Sequence, residues 1–160
     1  SGSTATRSTE NASLLDSNFS DYVNGNEITV FAETFIKHNY SYTNINSTVF
    51  NLGPDRVQYR IDDQSGPEIL IFNPDFVASL GYSDTSKNSH KTAIRLENNN
   101  VAISNAGKTT ITDLTNSWRD FEYMNIGRLT STEFMNGHIK KIAVYNEPLS
   151  NAELEALTEE

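Results

Sequence analysis

Apolar and polar side chains alternate along much of the chain, which is the period-2 pattern of half-buried β-strands. Residues 27–36 show the pattern most clearly, and because both parities carry apolar groups, this strand is expected inside a sheet. Turn residues such as Gly53-Pro54-Asp55 separate the alternating segments. The pattern predicts further strands at residues 48–52, 56–62, 68–72, 91–96, 101–103, 108–112, 123–129 and 138–145.

Three stretches lack this alternation. Residues 1–26 are polar with few apolar anchors, and predict a short edge segment followed by a loop that ends at Asn24-Gly25-Asn26. Residues 38–47 are expected to form a loop, and residues 73–89 the longest irregular insertion, a feature that is often functional in compact β-domains. With no internal repeat, the economical architecture is a two-sheet antiparallel sandwich of about ten or more strands.

The closing segment of the chain carries the most specific order of signals. Asn136-Gly137 predicts a turn before the last strand, and Pro148 predicts its end. Ser150 stands where an N-cap is expected, and Glu153 three residues later completes a capping box. A helix of about two turns is therefore predicted at the end of the chain.

This closing segment resembles that of concanavalin A-like, laminin G-type jelly-roll domains. Residues 6–14, 27–36, 91–96, 101–103 and 122–127 resemble the other strands of that family in order and spacing, although Asn98-Asn99-Asn100 and Asn105-Ala106-Gly107 replace its usual middle turns. The resemblance implies an all-β, two-sheet antiparallel jelly-roll sandwich with one short C-terminal helix. It implies a single domain over residues 1–160, with residues 1–5 as a flexible lead-in or cloning remnant. Such modules are common in phage tail fibres and bacterial surface proteins.

The composition is that of a turn-rich β-domain. Asn, Ser and Thr make up 52 of the 160 residues, which suits turns and exposed strand faces. The chain has no cysteine, which excludes disulfides, thiolate zinc sites and thiol nucleophiles and is ordinary for phage and bacterial surface proteins. The formal charge of -9 argues against nucleic acid or an anionic membrane as a partner. No apolar run is long enough to span a bilayer.

No pattern in the sequence supports catalysis, so the chain is predicted not to be an enzyme. Glycan hydrolysis needs two carboxylates that flank the scissile bond, and the Glu-x-Asp-x-Glu triplet of glucanases with this fold does not occur. Glu27 and Glu33 share a strand parity but lie about 20 Å apart along an extended strand. His38, His90 and His138 lie in separate segments without the spacing of a zinc site or a serine triad, and all three are expected to be solvent-exposed.

Sugar binding requires an aromatic ring for the apolar face of a pyranose and a few polar groups for its hydroxyls. The candidates are aromatic residues outside clear strand alternation, together with one neighbouring guanidinium: Tyr40, Tyr42, Tyr82, Trp118 and Arg119. The alternative for each ring is a position over the end of the core, the commoner place for a lone Trp.

Calcium is the one candidate cofactor. Sandwiches that this chain resembles often hold an ion with loop carboxylates and carbonyl oxygens, and Asp63, Asp75 and Asp84 lie in predicted loops. The alternative is that these aspartates cap turns, since the chain has no EF-hand pattern.

Together these features predict a non-catalytic, extracellular module that binds a cell-surface glycan for a phage tail fibre or a bacterial surface protein. The parent fibre would bring three copies of the domain together as a homotrimer, and avidity would then strengthen a weak single site. Neither nucleic-acid binding nor membrane insertion is expected. The first alternative is a structural or assembly module that binds another protein subunit. The more remote alternative is a polysaccharide depolymerase.

Overall fold

Eleven strands and one helix make up the part of the chain that the structure describes. The computed structural model describes residues 12–14, 19, 23, 25, 27–36, 46–53, 57–62, 66–72, 76–81, 88–109, 111–113, 120–128 and 135–159. The elements are β1 (Ala12–Leu14), β2 (Ile28–Ile36), β3 (Asn46–Gly53), β4 (Val57–Asp62), β5 (Gly66–Phe72), β6 (Phe76–Gly81), β7 (Ser89–Glu97), β8 (Asn100–Asn105), β9 (Ile111–Asp113), β10 (Tyr123–Ile126), β11 (Gly137–Tyr145) and α1 (Asn151–Thr158).

The strands form two antiparallel sheets. One sheet has six strands in the order β1-β10-β3-β4-β5-β6, and the other has five in the order β11-β2-β7-β8-β9. The expected interior place of β2 is confirmed, because this strand pairs with β11 on one side and β7 on the other. The pairing of β11 with β2 is interrupted by a bulge between Ile139 and Lys141, and Nζ of the intervening Lys140 lies 3.1 Å from Oε1 of Glu33.

The main hydrophobic core lies between the two sheets and is formed mainly by alternate residues of the strands. On β4 this parity is Val57, Tyr59 and Ile61, and Phe50 of β3 packs against Tyr59 with the ring centroids 5.5 Å apart. The Tyr59 hydroxyl donates a hydrogen bond of 2.8 Å to Oγ1 of Thr92 on the opposite sheet. Burial raises the pKa of the Tyr59 phenol well above its ordinary value, and the hydrogen bond with Thr92 offsets only part of that effect.

A second apolar cluster explains why β2 is apolar on both parities. Its inner parity enters the main core, while Phe31 on the outer parity packs with Ala93, Ala102 and Leu154. Leu154 belongs to α1, so the helix covers the outer face of the five-stranded sheet. Within the described ranges no helix is long and apolar enough to cross a membrane.

The predicted capping box at the start of α1 is confirmed. Oγ of Ser150 accepts a hydrogen bond from the Glu153 backbone N–H, and the Glu153 carboxylate accepts from the Ser150 backbone N–H at 2.8 Å. The side-chain and then the backbone hydrogen bonds from Ser150 hold the pKa of Glu153 below its ordinary value of 4.5. Because this pKa is lowered in the folded state, the contribution of Glu153 to stability is present above about pH 4.5 and is lost as the pH falls through the lowered pKa.

Replacement of Ser150 by alanine is expected to lower the free energy of unfolding by about 1 kcal/mol, because α1 loses the acceptor for its first turn. Urea denaturation followed by circular dichroism measures this change. Ser150→Thr is the control, since threonine keeps the capping oxygen. A Ser150→Thr variant as unstable as Ser150→Ala would contradict the capping explanation.

The predicted fold class is confirmed, and the structure corrects two details. The stretch 73–89 is not wholly irregular, since it contains β6, which pairs with β5. His90 is not solvent-exposed: it is 1% exposed, because it lies on the parity of β7 that enters the sandwich. His138 is exposed as expected, and His38 lies outside the described residues.

Candidate functional site

The six-stranded sheet has a polar outer face, which is the face turned away from the core. Since Val57, Tyr59 and Ile61 of β4 point inward, the alternation of the strand places Gln58 and Arg60 outward. On the neighbouring strands, the residues that pair with Gln58 and Arg60 in the register point outward as well. The polar side chains that share this face, hereafter called the polar face, are Thr48, Asn51, Gln58, Arg60, Asp62, Glu68, Tyr123 and Asn125; the buried Leu70 of β5 lies opposite Gln58 on the same face.

A row of amides crosses the middle of the polar face. Asn51 of β3 lies between Asn125 of β10 and Gln58 of β4 in the strand register. Gln58 is 1% exposed, and its Nε2 donates a hydrogen bond of 2.7 Å to Oγ1 of Thr48. Asn51 is 4% exposed, and its Oδ1 has no hydrogen-bond partner among the described residues. A buried acceptor without a donor is costly, so this amide lowers the stability of the sheet.

An ion pair lies beside the amide row. Arg60 of β4 and Glu68 of β5 are directly opposite in the register, and Nε of Arg60 donates to Oε1 of Glu68 at 2.5 Å. Their side chains are 22% and 13% exposed, so both remain partly accessible to a ligand. The pair offers guanidinium donors and carboxylate acceptors at fixed positions.

An aromatic ring lies at the other side of the polar face. Tyr123 of β10 is opposite Gly53 of β3, and a Cβ atom at position 53 would collide with the Tyr123 ring and hydroxyl. The ring therefore lies directly over Gly53, and the missing side chain of the glycine makes room for it. Tyr123 is half-buried, so part of its ring remains accessible.

The polar face thus combines a fixed aromatic ring, buried amides and a partly exposed ion pair. A ring can cover the apolar face of a sugar, while amides, guanidinium and carboxylate groups bind its hydroxyls. These are the groups that carbohydrate recognition requires, held on strands rather than on loops.

Solved structures share this architecture. No family model matches the chain, and no curated relative matches it. The CBM40 of Ruminococcus gnavus IT-sialidase, bound to α2,3-sialyllactose, is similar over 89% of this chain and 88% of its own, with a TM-score of 0.72 and 15% identity. Leech intramolecular trans-sialidase is similar over 92% of this chain and 26% of its own, with a TM-score of 0.71 and 15% identity. Mouse laminin α1 domains LG4-5 are similar over 89% of this chain and 40% of their own, with a TM-score of 0.62 and 9% identity.

The chain has the concanavalin A-like jelly-roll fold. At these identities the likeness establishes the fold, and it agrees with the resemblance that the closing segment of the sequence showed. In this jelly roll the six-stranded sheet carries the polar face, and the five-stranded sheet carries α1 on its outer face.

All the site residues predicted from the sequence lie outside the described part of the jelly roll. They are the sugar-binding candidates Tyr40, Tyr42, Tyr82, Trp118 and Arg119 and the calcium candidates Asp63, Asp75 and Asp84. These assignments stay predictions. Among the residues that the structure does describe, no group of three or more His, Asp or Glu side chains could hold a metal ion.

Sequence reasoning missed the polar face. The alternation of β4 did show that Gln58 and Arg60 share a parity opposite to the core. No local sequence pattern indicates that Tyr123 lies over Gly53, because these residues are distant in sequence and only the β3–β10 register brings them together.

Proposed function

We propose that this domain is a non-catalytic carbohydrate-binding module whose binding site is the polar face. The observation that carries the proposal is the Tyr123 ring over Gly53, beside the buried amide row and the Arg60–Glu68 pair. A pyranose placed against the ring would bring its hydroxyls toward Asn125, which is partly exposed and lies two residues from Tyr123 on the same face of β10.

The similar structures support this proposal at the level of chemistry. The Ruminococcus gnavus CBM40 is bound to α2,3-sialyllactose, and domain 4 of the extracellular arabinanase AbnA from Geobacillus stearothermophilus is in complex with arabinotriose. This fold is therefore compatible with sugar binding in proteins of quite different sequence.

The absence of catalysis is part of the proposal. Glu68 and Asp62 share the polar face, so the face carries more than one carboxylate. Glu68 accepts a hydrogen bond from Arg60, so its carboxylate is already engaged in an ion pair. Release of reducing ends from a bound glycan would contradict this assignment and favour the depolymerase.

The setting that best fits the chain is receptor recognition by a phage tail fibre or a bacterial surface protein, outside the cell. The cysteine-free, acidic composition supports this setting. In such a fibre, several copies of a weak site would act together and raise the apparent affinity. The aromatic residues Tyr40, Tyr42, Tyr82 and Trp118, together with Arg119, stay proposed as further sugar-binding residues, and Asp63, Asp75 and Asp84 stay proposed as calcium ligands.

Substitution of Arg60 by alanine is expected to weaken saccharide binding by about tenfold, which is the effect of losing one charge-assisted hydrogen bond. A glycan array identifies the ligand, and isothermal titration calorimetry measures its affinity for the two proteins. Lys140→Ala is the control, because it removes the Lys140–Glu33 ion pair on the other sheet. Equal weakening by both variants would contradict the placement of the site on the polar face. Failure of the folded protein to bind any saccharide would favour the assembly module.

A further inference from the structure

A pocket of about 410 Å³ lies on the opposite side of the sandwich from the polar face. It is situated where the chain leaves β11 and turns into α1. The residues that line it are Tyr145, Glu147, Leu149, Glu153, Ala156 and Leu157. This position separates the pocket from the proposed carbohydrate site by the full thickness of the two sheets.

The wall of the pocket between β11 and α1 is held in place by buried side chains. Oγ1 of Thr29, which is 0% exposed, donates to the Glu147 carbonyl at 3.0 Å and accepts from the Leu149 N–H at 2.9 Å. Nη1 of Arg95 donates to the Leu149 carbonyl at 3.1 Å. The pocket is therefore a preformed feature of the fold, and ligand binding would not have to order this wall.

Apolar and negatively charged side chains line the pocket. Leu149, Ala156 and Leu157 provide apolar surface, while Glu147 and Glu153 provide two carboxylates and no lining residue is cationic. The hydrogen bonds of the capping box keep Glu153 ionised by lowering its pKa.

We propose that this pocket binds an arginine or lysine side chain that a partner polypeptide presents. Such a side chain has an aliphatic stem, which matches the leucine and alanine surface, and a cationic end, which matches the two carboxylates. The pocket is wide-mouthed, so a single small cation would make few contacts, whereas a polypeptide can also contact the rim. This inference is independent of the proposed carbohydrate site.

The test is an NMR titration of the ¹⁵N-labelled protein with short glycine-rich peptides that carry one central arginine, one central lysine or one central citrulline. Citrulline keeps the shape of arginine but has no charge. The arginine and lysine peptides are expected to shift the amide signals of Leu149, Ala156 and Leu157, and the shifts are expected to decrease as salt is added. The citrulline peptide is expected to leave these signals in place.

Glu147→Gln and Glu153→Gln are each expected to weaken binding of the arginine peptide by about fivefold or more. Glutamine at position 153 keeps the capping box, so the helix stays intact. Glu155→Gln is the matched control, because it removes the same charge from the same helix outside the pocket. Equal effects of Glu155→Gln and Glu153→Gln, or equal shifts with the citrulline peptide, would overturn the proposal. Ethylguanidinium carries the cationic group of arginine without a peptide. If it binds as tightly as the arginine peptide, the proposal that the partner is a polypeptide is overturned.

Discussion

Substitution of Tyr59 by alanine is expected to lower the free energy of unfolding by about 3–5 kcal/mol. The side chain is fully buried at the centre of the main core, where it contacts the Phe50 ring. Its removal leaves a large cavity and also removes the hydrogen bond between the two sheets at Thr92. A domain of this size has a total stability of about 5–15 kcal/mol, so this variant is expected to lose a large share of it.

The matched control is Tyr59→Phe, which keeps the ring and removes only the hydroxyl. We expect it to cost about 1–2 kcal/mol, because Thr92 retains its 3.0 Å hydrogen bond to Oδ1 of Asn105. Urea denaturation at equilibrium measures both variants. A Tyr59→Ala variant that loses less stability than Tyr59→Phe would show that the ring does not fill the core as described.

Substitution of Gly53 by alanine is expected to abolish most saccharide binding, with a loss of affinity of about tenfold or more, although it adds only one methyl group. The new Cβ atom would occupy the place of the Tyr123 ring, so the ring must leave the polar face. The expected cost in stability is about 1–3 kcal/mol, the usual effect of overpacking. Calorimetry with the glycan identified on the array measures the affinity.

The double variant Gly53→Ala/Tyr123→Ala separates the effect of the added methyl group on stability from the effect of losing the tyrosine ring on saccharide binding. Without the tyrosine ring there is no collision, so the double variant is expected to recover stability relative to Gly53→Ala while binding stays weak. Full binding by Gly53→Ala would contradict the role of Tyr123 as the sugar-stacking ring. Full binding by the double variant would contradict it as well.

The sequence predicted most of the fold because strand parity and turn chemistry are local. The alternation within β2 and β4 and the capping box at Ser150 can be read from neighbouring residues, and the structure confirms them. The alternation expected through β11 is broken by the bulge at Lys140, which places Ile139 on the core side with Ile142 and Val144. The strand β6 was missed because turn residues flank its short alternation on both sides. His90 was misjudged because a polar side chain can occupy an inward position at the end of a core strand.

The candidate site was far less predictable than the fold. Loop aromatics were natural candidates in the sequence, since functional residues concentrate on loops. The residues of the polar face lie on strands instead, and their proximity depends on the pairing of β10 with β3 and of β3 with β4. Cross-strand register between distant segments is a tertiary property, which the local pattern of a single sequence does not specify.

The bulge in β11 has a consequence for crowded assemblies. β11 is the last strand on its side of the five-stranded sheet, and the extra residue at the bulge is Lys140. A strand from a neighbouring molecule that tried to extend the sheet there would meet an irregular edge and would have to bury an ammonium group. Many copies of this domain could therefore be displayed side by side on one surface without fusing into a continuous sheet.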